Sequence, residues 1–163
     1  MPRKNRFTRE EIISAALELT RSRGSAAVTA RSLAGALGSS SKPIFGLFEN
    51  MDEVQQEVQK AAFAIYQKRI ADAMAGGEFP PFKASGMAYI RFAREERELF
   101  RLLFMRDRSH ETIGSQDEEI RPLLALIQKN VGIGEAEARQ LHLELWVFVH
   151  GIATMLATSY LDW

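Results

Sequence analysis

The sequence predicts an all-α fold, and three observations carry that expectation. Apolar residues recur at spacings of three and four along nearly the whole chain, which gathers their side chains on helix faces. Capping boxes at Thr8 to Glu11, Asn50 to Glu53 and Ser115 to Glu118 mark helix starts, because a short polar side chain and a later glutamate satisfy first-turn N–H groups reciprocally. No alternating strand pattern, internal repeat or low-complexity tract interrupts them.

Taken in order, the first helix follows Thr8 with Ile12, Ile13, Ala16, Leu17 and Thr20 at helical spacing, and Gly24 stops it. Thr29 caps a short second helix with Leu33, Ala34 and Leu37 on its apolar face, ended by Gly38. A third begins inside the serines 39–41 and runs to about Phe48. Asn50 opens a long fourth with Val54, Val58, Ala61, Ala62 and Ile65 on one face, closed by Gly76-Gly77 and Pro80-Pro81. Helical segments follow around Met87 to Phe92 and from Glu95 to Met105. The Ser115 box precedes a helix with Ile120, Leu123, Leu124 and Ile127, broken by Gly132 and Gly134. A last helix spans about Glu135 to Tyr160.

The 163 residues, 46% hydrophobic and 26% charged, suffice for a packed core and argue against disorder. The absence of cysteine removes disulfides, thiolate catalysis and cysteine zinc sites, and fits a reducing, cytoplasmic setting. MPRKNRFTREE carries charge with no apolar stretch after it and does not read as a signal peptide. The uncharged run Leu145 to Leu161 falls short of the roughly 20 apolar residues of a membrane span. It reads as a buried helix, and no membrane partner is expected. Net charge is zero but unevenly placed. Residues 1–50 hold eight Lys/Arg against four Glu, a net of +4, and the rest carries −4. That division hints at a nucleic-acid-facing head on an acidic body.

Three short helices in the first fifty residues, the second and third joined through Gly38, match the helix-turn-helix plan. Ser39 or Ser40 would cap the third helix, and small hydroxyl side chains let a backbone approach DNA closely. Lys42 would project as a cation, Pro43 is tolerated near a helix start, and Ile44, Phe45 and Phe48 would anchor the helix inward. A capped surface helix on a bundle would use the same residues.

The elements T-R-E-E-I-I-S-A-A-L-E-L at 8–19, Gly24, Val28-Thr29, L-A-G-A-L-G at 33–38 and I-F-G-L-F at 44–48 together resemble the N-terminal domain of the tetracycline-repressor (TetR) family. The resemblance implies a homodimeric regulator that binds double-stranded DNA through residues 1–50, with a helical body, 51–163, that binds a small-molecule effector. By position, Thr29 and Arg31 would open the second helix against DNA. Ser39, Ser40, Ser41, Lys42 and Phe45 would lie on or beside the recognition helix, and Arg3, Lys4 and Arg6 would form a basic arm. The pattern departs from the family at Phe45 and Leu47, where tyrosine and histidine are frequent, and at Met51, where lysine is usual. These departures keep open a second reading, a helical small-molecule-binding protein with weakened or lost DNA binding.

In the body, Trp146 and His150 stand four apart on one face of the last helix, and W-x-x-x-H-G resembles the C-terminal domain of one TetR subgroup. Phe63, Tyr89, Phe92, Phe100, Phe104, Met105, Trp146 and His150, together with Met87, are the large, partly polar side chains expected to line a ligand pocket. The same residues would equally fill a core. Leu145, Phe148, Ile152, Met155 and Leu156 need covering and would form a two-fold dimer interface. The resembled family usually has one further helix here, so the chain either is shorter than its relatives or stops before a natural end. His110, His142 and His150 show no metal-ligand spacing, and there is no HExxH, phosphate loop or nucleophile elbow. Neither catalysis, a metal nor a cofactor is expected.

Overall fold

The computed structural model describes residues 7–107 and 113–160, and every regular element among them is a helix. The fold is all-α, as expected. Helix α1 (Arg9–Arg23) starts where Thr8 Oγ1 accepts the Glu11 N–H at 3.2 Å and the Glu11 carboxylate accepts the Thr8 N–H at 2.8 Å. It buries Ile12, Ala16, Leu17 and Thr20, and the Thr20 hydroxyl donates to the Ala16 carbonyl at 2.9 Å, so the buried polar atom is satisfied. Gly24, at φ +80°, ends it. A 3₁₀ turn, Ser25–Ala27, follows, too short to show in the periodicity.

Helix α2 (Ala30–Ala36) is capped by Thr29, whose Oγ1 accepts from the Ser32 N–H at 3.2 Å while the Ser32 hydroxyl accepts from the Thr29 N–H at 2.9 Å. Gly38 turns the chain in the left-handed region at φ +58°, where a side chain would be strained. Helix α3 (Lys42–Phe45) is capped in position by Ser41, not Ser39 or Ser40, and no side-chain bond is made. Ser41 sits in helical φ/ψ, so its hydroxyl is not held against the first turn. The helical hydrogen bonds nevertheless continue to Phe48, whose N–H donates to the Ile44 carbonyl at 2.9 Å. Ile44 and Phe48 are buried, but Phe45 is 49% exposed, so it is no anchor.

Helix α4 (Met51–Ala75) begins with Asn50 Oδ1 accepting the Glu53 N–H at 2.9 Å. The Glu53 carboxylate reaches back past Asn50 to the Glu49 N–H. Helices α5 (Pro81–Glu95) and α6 (Arg97–Phe104) are separated by a single break at Glu96. Helix α7 (Ile113–Val131) starts two residues before Ser115, so Ser115 lies inside the helix rather than at its cap, and its side chain lies outside the described residues. Helix α8 (Glu135–Ala157) starts after Gly134.

Cα packing divides the chain into two units. The first holds the described residues up to Ile65 together with Glu96–Met105. Its buried side chains include Ile12, Leu33, Ile44, Phe48, Val54, Val58, Leu99 and Phe100. Arg21 holds α6 in this unit: its Nε and Nη2 donate to the Glu96 carboxylate at 3.0 and 3.2 Å. The second unit holds Tyr66–Glu95 and the described residues from Arg106 onward. Within it α5 packs most extensively on α8, and Ala84 and Ala88 of α5 and Ala153 and Ala157 of α8 are buried. Leu124 and Ile127 of α7 cluster with Ala138 of α8, sealed by Phe82, Ile120, Ile133 and Leu141.

Candidate functional site

Two sets of residues were expected to act: the described residues of the DNA-facing set all lie in the first unit, whereas the ligand-binding set is divided between the two units. In the first unit, Thr29, Arg31, Ser40 and Lys42 are exposed, and Ser39 and Ser41 are half-buried. Arg31 and Lys42 take part in no ion pair among the described residues. Arg3, Lys4 and Arg6 lie outside the described residues. Behind α3, Arg9 holds the end of the turn. Its guanidinium lies 4.2 Å from the centre of the Phe48 ring, donates to the Leu47 carbonyl, and pairs with Glu53 at 2.8 Å. The Glu49 N–H first, and then Arg9, holds the Glu53 carboxyl below its ordinary pKa. Sequence reasoning passed over Arg9 because nothing local distinguishes it from other basic residues of the first helix.

In the second unit, α4, α5, α7 and α8 line a half-open cavity of about 490 Å³, within the size range of small-molecule sites. Its walls are almost wholly apolar. Tyr66 and Ile70 come from α4, and Phe82, Met87 and Ile90 from α5. Leu123 comes from α7, and Leu145, Trp146, Phe148, Val149 and Ile152 from α8. The α8 residues recur at three and four because one helix face forms the wall.

The polar groups are few. Tyr89 Oη and His150 Nδ1 share a hydrogen bond of 2.8 Å, and the His150 ring stacks on Trp146 with centroids 4.7 Å apart and planes at 10°. One turn before Trp146, His142 lines the cavity against the edge of Phe82, with ring centroids 6.3 Å apart. Its Nδ1 is buried and makes no hydrogen bond among the described residues. Burial pushes both histidines below their ordinary pKa, so both rings are neutral at pH 7. The Ser85 hydroxyl donates to the Phe82 carbonyl at 2.7 Å. Lys83, exposed at the wall, holds its Nζ 4.4 Å from the Phe79 ring centre.

Of the residues expected to bind ligand, Tyr89 and Trp146 line the cavity, with Met87, and His150 backs them. Phe92 is fully buried, beneath Tyr66 at 5.5 Å between centroids. Phe63, Phe100, Phe104 and Met105 belong to the first unit and are not among the lining residues. Of the residues expected at a dimer interface, Leu145, Phe148 and Ile152 line the cavity, Met155 is 39% exposed and Leu156 is buried. His142, Phe82 and Leu123 were missed. The signal for His142 was present, since it continues the Trp146–His150 stripe one turn back.

Among the described residues no cluster of His, Asp and Glu could hold a metal ion. No described helix is long and apolar enough to cross a membrane. No curated protein matches the chain significantly. The family described as tetracyclin repressor-like, C-terminal domain, matches residues 82–163, a segment that takes in α6 to α8, all of α5 but its first residue, and most of the cavity wall. A match over half the chain, on an all-helical fold, places this protein in the tetracycline-repressor (TetR) family of regulators.

Proposed function

We infer that the protein is a cytoplasmic, ligand-responsive transcriptional regulator. It acts as a repressor that binds a palindromic operator as a homodimer and is released by a small molecule. Residues 1–50 form the DNA-binding head and residues 51–163 the ligand-binding and dimerising body. One observation carries the reading: Gly38 turns α2 into a one-turn α3 that leaves Lys42 and Phe45 exposed while Ile44 and Phe48 are buried. A short helix anchored on one side and open on the other suits a major groove. Arg31 and Lys42, held by no carboxylate among the described residues, are available for phosphate or guanine. Two such heads would stand about 34 Å apart, in successive grooves. A ligand in the body favours whichever subunit arrangement it binds better, and its effect is bounded by that difference.

A salt-dependent mobility shift on the DNA upstream of the protein's own gene tests this. Lys42→Ala and Arg31→Ala should each weaken binding by roughly 1–3 kcal/mol if the contact is to a base. If both variants fold and bind like the parent, α3 is not the recognition element. If the parent shows no salt-dependent binding, the second reading holds, that of a helical binding protein with lost DNA affinity. That reading is favoured by Met51, which is uncharged, and by the exposed Glu49 beside it.

A further inference from the structure

We propose that Glu53 is a positioning residue for DNA recognition: acting through Arg9, it sets the angle at which the one-turn α3 presents Lys42 and Phe45. The proposal deepens the regulator reading, on which it rests, by assigning part of operator recognition to side chains behind the reading turn. Helix α3 cannot hold its own direction. It has four residues and no side-chain cap, and a single helical turn is unstable by itself. Ile44 and Phe48, both buried, fix its depth. Its rotation is left to what grips its far end. There the Arg9 guanidinium makes three contacts: it donates to the Leu47 carbonyl, lies 4.2 Å from the centre of the Phe48 ring, and pairs with Glu53 Oε1 at 2.8 Å. Glu53 Oε2 accepts the Glu49 N–H at 2.6 Å. One carboxylate of α4 thus ties both α1 and the backbone after α3 to α4.

The entrance of the helix-turn-helix is tied to the same turn of α4. Gln55 Nε2 donates to the Ser25 and Val28 carbonyls, each at 3.1 Å, immediately before Thr29 caps α2. Glu53, Val54 and Gln55 are consecutive, and successive helix residues point about 100° apart. Val54 is fully buried between them, so the two polar side chains reach opposite flanks. Releasing the Glu53 grip frees one end of the unit while Gln55 keeps the other, and α3 then turns against α2. Energetics favour this geometric role over a stabilising one. The Arg9 and Glu53 side chains keep 42% and 33% of their surface exposed, and an ion pair so open to water adds little stability. The rival role is a direct contact of Arg9 with phosphate, for which Glu53 would be a competitor.

Two variants and their combination separate the roles, with anisotropy measured over a salt series. The specific probe is a duplex selected by the parent from a randomised pool, and the non-specific probe is an unrelated duplex of equal length. Glu53→Gln keeps the shape but offers one acceptor oxygen to two donors. It also removes a negative charge, which alone would strengthen DNA binding. It should nevertheless bind the selected duplex roughly tenfold more weakly, with non-specific affinity no lower than the parent's. Arg9→Lys keeps the charge without the fork and should show the same loss with an unchanged salt slope. The double variant should be no worse than either single one, because both break the same bracket. A merely structural role would instead lower the melting temperature and both affinities together. Tighter specific binding by Glu53→Gln, or parent-like binding or a reduced salt slope in Arg9→Lys, means that Arg9 meets phosphate directly and overturns the proposal. So do losses that add in the double variant, or that extend equally to the unrelated duplex. Each of these leaves the regulator reading standing. If the pool yields no duplex that the parent prefers, the regulator reading fails and takes the proposal with it.

Discussion

Phe45 and Phe48 stand three positions apart in one apolar cluster, and their fates differ. Phe48 is 2% exposed under the Arg9 guanidinium, and Phe45 is 49% exposed. Their spacing placed both near an anchored face, but it could not say how soon the helix would end. Long-range packing separates the two rings: Phe48, beyond the end of α3, is buried beside Arg9, and Phe45, within α3, is not covered. Phe48→Ala should therefore cost about 3–5 kcal/mol of head stability, as for a large aromatic removed from a core. Phe45→Ala should change stability by no more than about 0.5 kcal/mol, as for an exposed residue, and should weaken DNA binding instead. Urea unfolding and the mobility shift separate the two effects; a Phe45→Ala variant that unfolds early and binds normally would reverse the assignment.

At the scale of the element, the helix starts legible in the sequence were those set by chemistry within four residues. Thr8 with Glu11 and Thr29 with Ser32 close their boxes as local hydrogen bonds, independent of anything distant. Ser115 failed as a start because α7 reaches back to Ile113, and the pattern S-x-x-E occurs inside helices as well as before them. The cavity was half legible. The i, i+4 relation of Trp146 and His150 fixed a shared face of α8, but which aromatic residues of other helices met that face depended on packing. Composition cannot distinguish Tyr89, on the wall, from Phe92, fully buried beneath Tyr66. The α8 stripe also predicts a pH effect. Burial holds the folded pKa of His142 and His150 below the ordinary 6.5, so protons bind the unfolded chain more readily. That contribution to stability is fully present above pH 6.5 and falls as pH drops from there toward the folded values. Carboxylates titrate lower and do not share the window. Melting temperature should decline between about pH 7 and about pH 5.5, and a His142→Asn, His150→Asn double variant should flatten that decline. An unchanged slope would show that neither ring is the source.

At the scale of the whole molecule, α8 leaves Leu143, Val147 and Phe148 at 54%, 57% and 68% exposure, a stripe too apolar to remain in water at working concentration. We expect a two-fold dimer across it. Sedimentation should give a dimer for the parent, and Phe148→Glu should shift it to monomer with the melting temperature of the monomeric fold nearly unchanged. A parent that sediments as a monomer at micromolar concentration would place the interface elsewhere. The membership of α6 has a different consequence. The chain leaves the first packing unit after Ile65, returns to it for Glu96–Met105, and leaves again. Leu99, Phe100 and Leu103, all buried, and the Arg21–Glu96 pair would therefore be lost to any head excised by a single cut. Recombining this head with the body of a relative would require two splices rather than one. Selection that exchanges DNA specificity by simple crossover would then have to preserve the α1–α6 seam on both sides of the exchange.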